Sequence, residues 1–405
     1  MKERAVVHLN IIGFRSAVAA VKDKSLKGRP YIIAGATGGR SLALDCSPEA
    51  IRQGVSPGTA LAIAEKRIKD LIVLPPDIPA YETMNKEIEK VASRYAPIWE
   101  NDKVGNLYLD ITGTTSLFGV PADCSSKVLA DILEQTHINP ATAVACNKLV
   151  SKVATRTIRP VGLIQVHIGT EAEFLAHQDI HILPGMGKNL LKTAAVVGIR
   201  EIGEIATLSE AEALSLFGKR GVLLRNMALG IDSSPVEDRS GRRSIFQQAD
   251  FEEDIIEENA IKAVIETLAE RGGFEMRSNK LGATNIKITV LYADGVTAEG
   301  IEKRQRAFIT DKEISASALK VYLKTAIRRI RVRSIGLSLE RLIPLGFEPD
   351  LFEPEMEIKD RKLQEVVDLI QNRYGVGKVT RGAALVSSGK GNRKLLTSGA
   401  ENYGN

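Results

Sequence analysis

Through the first part of the chain, apolar runs of strand length alternate with stretches patterned as helices. Residues 5–12, Ala-Val-Val-His-Leu-Asn-Ile-Ile, form the first run, and residues 13–21 read as the helix after it. A second run covers 31–34, and a helix is expected over 81–95 beyond Leu74-Pro75-Pro76. At residues 104–113 apolar side chains alternate with small or polar ones, and the pattern stops at Thr112-Gly113. That predicts a strand or hairpin arm near the middle of a sheet. Helices are expected over about 127–136 and again after Asn147-Lys148. Residues 182–199 hold Gly185 and Gly187 in a helix-hairpin-helix pattern. Asp232-Ser233-Ser234-Pro235 and Asp238-Arg239-Ser240-Gly241 read as a linker.

After the linker the expected order is β-α-β-β-α-β. It comprises a short strand at 244–248, a helix over 254–271 closed by Gly272-Gly273, strands at 285–292 and 301–308, a helix over 315–330 and a strand at 331–339. An amphipathic helix is expected over 359–373, and the Gly/Ser/Asn/Lys-rich stretch from 387 reads as a disordered tail. The fold class is therefore α/β (α+β), in more than one domain, as 405 residues also suggest.

Composition narrows the function without naming it. The chain is 44% hydrophobic and 26% charged, as soluble globular proteins are. Its net charge of +5 is compatible with nucleic acid and not diagnostic of it. Cys46, Cys124 and Cys146 are widely spaced, which argues against a zinc site or disulfide framework and for a reducing cytoplasm. No apolar stretch approaches the roughly 20 residues needed to span a membrane, and no signal-like region opens the chain.

Motifs in order carry a resemblance. Tyr108-Leu109-Asp110 matches the end of a Ser-(Ile/Val)-Asp-Glu-x-(Tyr/Phe)-Leu-Asp strand, and Phe14 and Ser16 fit an Asp-x-Asp-x-Phe-aromatic-(Ala/Ser) strand. Between and beyond them lie Leu26-Lys27-Gly28-Arg29-Pro30, Glu49-Ala50, Gly54-Val55-Ser56-Pro57-Gly58, Ala64-Glu65, Leu117-Phe118-Gly119, Asn147-Lys148 and Arg159-Pro160-Val161-Gly162. In this order the chain resembles the Y-family (translesion, UmuC/DinB-like) DNA polymerases over about residues 5–375. The resemblance implies a right hand and an added domain: palm at 1–13 and 78–165, fingers at 14–77, thumb at 166–236, little finger at 242–345. Residues 346–405 would then hold a clamp-like motif, the helix and the tail.

The chain departs from the family where the chemistry lies. Nucleotidyl transfer in this class uses two Mg²⁺ ions held by palm carboxylates, and Mg²⁺ takes hard, usually anionic oxygen ligands. The matching positions are Asn10, Ile12, Gly105 and Asn106. The Tyr and Arg that hold the triphosphate are replaced by Pro48 and Ile51, and the aromatic gate by Arg15. Arg159 alone keeps the charge of a nucleotide contact. The resemblance therefore points to the catalytically inactive ImuB class, a DNA-binding organiser of damage bypass without a cofactor. Two alternatives stay open. One is an active translesion polymerase with Mg²⁺ relocated to Glu100 or Asp102, expected in a turn, or Asp110. The other is a structural DNA-binding protein outside replication.

The partners implied are DNA, the sliding clamp and a separate active polymerase or recombinase. The DNA contacts expected are Gly185, Gly187, Lys188 and Lys192 at the hairpin. A further set is Lys303, Arg304, Arg306, Arg328, Arg329, Arg331 and Arg333, a cationic cluster with few acids nearby. The clamp-like peptide would use Leu351 and Phe352.

Overall fold

The computed structural model describes residues 3–35, 41–237, 244–345 and 355–375. They form two compact units, one on each side of residue 240.

The first unit holds β1 (Val6–Asn10), β2 (Tyr31–Ala34), β3 (Ala43–Cys46), β4 (Ile72–Leu74), β5 (Ile98–Lys103), β6 (Asn106–Asp110), β7 (Ala141–Ala145) and β8 (Gly162–Gln165). A five-stranded sheet has the order β5-β6-β1-β7-β8, and a small one the order β3-β2-β4. Every residue of β1 is buried because the strand is central and both its faces are covered. On one face Val7, Leu9, Leu107 and Leu109 share a core with Ile88 and Val91 of the helix Ile78–Ala92 and Val128 and Ile132 of the helix Pro121–Thr136. The helix Lys148–Thr157 packs on β1 and β7, with Asn147 as its N-cap accepting from the Val150 N–H at 2.9 Å. The register between β1 and β6 sets Val6 opposite Asp110, His8 opposite Tyr108 and Asn10 opposite Asn106.

Five short helices follow, including Lys188–Val196, Glu210–Phe217 and Gly221–Ala228. Gly221 is obligatory where the last two meet, since a Cβ there would lie 1.9 Å from the Ala213 carbonyl oxygen.

The second unit holds β9 (Ser244–Ile255), β10 (Leu281–Tyr292), β11 (Thr297–Phe308) and β12 (Val332–Pro344), an antiparallel sheet in the order β11-β10-β12-β9. The helices Glu258–Ser278 and Asp311–Thr325 cover one face through Ile265, Leu268, Ile314 and Ala318. The β-α-β-β-α-β order is as the sequence implied. β9 runs well past 248, because pairing with β12 carries polar residues that periodicity does not register as strand.

Candidate functional site

β1 and β6 bring Asn10, Gly105 and Asn106 together, with the Ile11 N–H donating to the Gly105 carbonyl at 2.8 Å. Ile12 lies two residues beyond the end of β1, half-buried. Asn10 is buried at the end of its strand. Gly105 lies in the turn between β5 and β6 at φ +76°, and the Asn85 side-chain oxygen accepts from its N–H at 3.1 Å. A Cβ built on Gly105 would come within 2.8 Å of the Phe14 ring. Any side chain at this turn would therefore have to displace Phe14. Positive φ alone would be tolerable for an aspartate, but the ring would have to move.

The acids offered as replacements are otherwise engaged. Glu100 and Asp102, expected in a turn, belong to β5, and Glu100 faces Tyr108 across the pair. Glu100 Oε2 pairs with Lys148 Nζ at 2.6 Å, and its side chain is 1% exposed. Asp102 Oδ2 pairs with Lys152 Nζ at 2.7 Å. Burial would raise the Asp102 pKa, but the charge and hydrogen bond of Lys152 outweigh it and hold the carboxyl below its ordinary value. Both ammonium groups stand over the Tyr108 ring, at 4.9 and 5.7 Å. His8 stacks beside that ring at 4.5 Å and shares a 2.7 Å hydrogen bond with Thr155. Burial, and then the Lys152 charge, push the His8 pKa well below 6.5, so the ring is neutral at physiological pH. Asp110 Oδ1 accepts from the Thr112 N–H at 3.0 Å, ending its strand.

The segment expected as a free linker is tied to this sheet. The Glu237 N–H donates to Glu100 Oε2 at 3.2 Å, Asn147 donates to the Gly230 carbonyl at 2.8 Å, and the Leu149 N–H donates to Asp232 at 3.0 Å. Val236 packs on Val6 and Tyr108. Sequence reading missed this role for Lys148, Lys152 and Glu100. The i, i+4 spacing of the two lysines was its only visible trace.

The donor set does not suit Mg²⁺. Asn10 and Asn106 offer neutral amides, Gly105 offers backbone only, and the neighbouring carboxylates already serve lysines. Among the described residues no group of three or more His, Cys, Asp or Glu is placed to hold a metal ion.

The positions expected to contact the triphosphate are placed as follows. Pro48 opens the helix Pro48–Arg52 behind the Ser47 cap, Ile51 is exposed, and Arg52 pairs with Glu49 at 3.1 Å. Arg15 rests 6.0 Å from the Tyr81 ring centre. Arg159 is exposed.

The basic candidates divide into two groups. Gly185, at φ +89°, and Gly187 lead into the helix Lys188–Val196, whose first turn has no side-chain cap, and Lys188 and Lys192 are exposed on it. Such an N-terminus suits a phosphate. In the second unit the expectation of few nearby acids is corrected. Arg328 forks onto Asp294 at 2.8 and 3.2 Å, and Arg333 reaches Asp254 at 3.4 Å. Arg331 donates to the Asp254 carbonyl at 3.2 Å. These aspartates come from a turn and a strand end remote in sequence. Arg304 pairs with Glu302 at 3.2 Å and lies over the Phe308 ring. Lys303, Arg306 and Arg329 are exposed. Leu351 and Phe352 lie outside the described residues.

Comparison with known proteins adds the following. The impB/mucB/samB family matches residues 10–156, and that family's C-terminal domain matches 242–349. The chain is 27% identical over 396 residues to a DNA polymerase IV of Desulfatibacillum aliphaticivorans, covering 97% of this chain and all of the relative. It is 28% identical over 385 residues to a DNA polymerase IV of Dehalococcoides mccartyi, covering 94% of this chain and 98% of that one. Among solved structures, a chimera of the Y-family DNA polymerases Dbh and Dpo4 superposes with a TM-score of 0.73 at 22% identity, over 84% of this chain and 99% of the chimera. An insertion ternary complex of Dbh DNA polymerase gives 0.65 at 21% identity, over the same shares.

Proposed function

The chain belongs to the impB/mucB/samB family of Y-family polymerase homologues, and from that premise we propose that it binds DNA during damage bypass without catalysing nucleotidyl transfer itself. The observation that carries this reading is the Gly105 turn, which closes on Phe14 where the family's strand needs a carboxylate. The loss is built into the packing and is not a matter of one side chain. The paired state of Glu100 and Asp102 supports the same conclusion.

In this reading the thumb hairpin and the little-finger sheet grip the phosphate backbone without reading sequence. A clamp peptide at Leu351 and Phe352 raises the local concentration of the chain on DNA. A separate polymerase or recombinase does the chemistry, and the cytoplasm is the compartment. The ImuB-like pseudo-polymerase assignment belongs to the same proposal.

The name DNA polymerase IV borne by full-length relatives favours a second reading, template-directed synthesis by this chain. Primer extension with Mg²⁺ or Mn²⁺ separates the two. No template-dependent incorporation is expected. Incorporation that co-purifies with the chain through several columns would establish the second reading.

DNA affinity should fall with salt. Lys188→Ala, Lys192→Ala and Lys303→Ala should each lower the log–log salt slope by about 0.9. Arg328→Ala and Arg333→Ala should lower it less, because those guanidiniums are already engaged by Asp294 and Asp254. Equal slopes across all five variants would remove this division. Changing Leu351 and Phe352 to Ala should weaken binding to the sliding clamp by at least about tenfold, as loss of apolar anchors does. Unchanged clamp binding would remove that peptide from the mechanism.

A further inference from the structure

The core of the second unit closes without its last helix. It runs from β9 through the helices Glu258–Ser278 and Asp311–Thr325 to β12, and no described residue of the helix Glu355–Tyr374 belongs to it. That helix turns apolar side chains to water. Leu363, Val366, Leu369 and Tyr374 are between 52 and 68% exposed. What fixes it is a polar seat. Asp368 accepts a fork from Arg277 at 2.6 and 2.8 Å. Gln364 donates to Asp311 at 2.9 Å and accepts from the Asp311 N–H at 3.1 Å. Asp360 pairs with Lys312 at 2.8 Å.

The seat is built into the unit and does not depend on the helix it holds. Arg277 also donates to Asp311 Oδ1 at 2.8 Å and to the Ile309 carbonyl at 2.9 Å. Gly273 makes the space for that pair, since a Cβ there would lie 2.3 Å from Asp311 Oδ1 and 2.8 Å from an Arg277 nitrogen. If the last helix left, Arg277 and Asp311 would keep each other. Lys312, already 57% exposed in its side chain, would pass to water. Asp360, Gln364 and Asp368 would do the same on the helix. Separation therefore orphans no buried charge, which is what makes breaking a buried pair costly. It uncovers little apolar surface, since Val367 and Ile370 are only half-buried. Elements with few buried apolar contacts are those that open locally.

We propose that this helix is a releasable arm, which leaves the second unit while that unit stays folded and carries the basic segment 376–405 with it. That segment holds Lys378, Arg381, Lys390, Arg393 and Lys394 against the single acid Glu401, a balance of +4 from 5 − 1. Seated, the helix ties the root of this polycation to the second unit. Released, it lets the polycation meet phosphate groups farther off. That use on DNA rests on the reading above; the release does not.

Hydrogen exchange of the full chain, read by mass spectrometry without DNA, tests the release apart from that reading. In the parent, amides of residues 361–374 should exchange at least about tenfold faster than those of the helix Glu258–Ser278 and of β10. The variant Gln364→Ala, Asp368→Ala should speed exchange at 361–374 by at least about tenfold more, and leave the helix Glu258–Ser278 and β10 within about twofold. Alanine favours helix over both residues it replaces, so the gain cannot come from lost propensity. Arg277→Met strips the seat and leaves Asp311 without its cation, so it should speed exchange in the helix Glu258–Ser278 as well. Exchange at 361–374 indifferent to the double variant, a rise that spreads to β10, or an effect of Arg277→Met confined to 361–374 would each overturn the proposal.

Discussion

Replacing Lys148 with Met is expected to destabilise the first unit by about 3–5 kcal/mol, the range for breaking a buried ion pair by removing one partner. The cost arises less from the lost attraction than from what remains. Glu100, 1% exposed in its side chain, would lose the ammonium that stands 2.6 Å from its Oε2. The Pro235 carbonyl would lose a 3.4 Å contact and Tyr108 one of its two cations. Urea unfolding followed by a probe in the first unit reads the effect. With m of about 1–3 kcal/mol/M, the midpoint should drop by more than about 1 M. The double variant Glu100→Leu, Lys148→Met should recover much of the loss, since apolar pairs of similar volume often replace buried ion pairs at little cost. Recovery should stop short by about 1–3 kcal/mol, because the Glu237 N–H loses its acceptor. A single variant as stable as the parent would mean that water reaches Glu100 and that the pair is not the clasp described.

Much of this architecture was legible in the chain. Tyr108-Leu109-Asp110 fixed the strand, and the motif order fixed which segments neighbour it. From these the adjacency of Asn10 and Asn106 followed. What was not legible depends on register and distance. Glu100 and Lys148 are 48 residues apart and meet only because the helix Lys148–Thr157 packs on the sheet to which β5 belongs. The aspartates that occupy Arg328 and Arg333 are 34 and 79 residues away from them. A local count of acids could not have found them. The helix at 359–373 was visible as amphipathic, and hydrophobicity alone would dock its apolar side. Arg277 and Asp311, buried on the second unit, supply a polar seat that inverts the choice.

The harder question is whether the missing chemistry could be written back. Asn106→Glu asks little of the fold, since that half-buried strand end already carries a polar side chain. Asn10→Asp, by contrast, sets a carboxylate at a buried strand end and carries a desolvation cost of its own. Gly105→Asp asks much more. The φ of +76° costs an aspartate about 1–2 kcal/mol, and displacing the Phe14 ring from 2.8 Å adds overpacking of about 1–3 kcal/mol. The triple variant is therefore expected to be less stable than the parent by at least about 2–5 kcal/mol, the cost of Gly105→Asp alone, and to remain without primer extension. The clash gives a direct check through a double-mutant cycle. In a Phe14→Ala background, itself costly by about 3–5 kcal/mol, Gly105→Asp should cost at least about 1 kcal/mol less than in the parent, because contacting residues couple. Independent, additive costs would show that the ring is not the obstacle. Template-dependent synthesis by the triple variant would show that the turn can open and that only the carboxylates were missing. If neither occurs, the loss resides in the backbone of the β5–β6 turn and the side chain packed against it. No substitution confined to ligand positions could then reverse it.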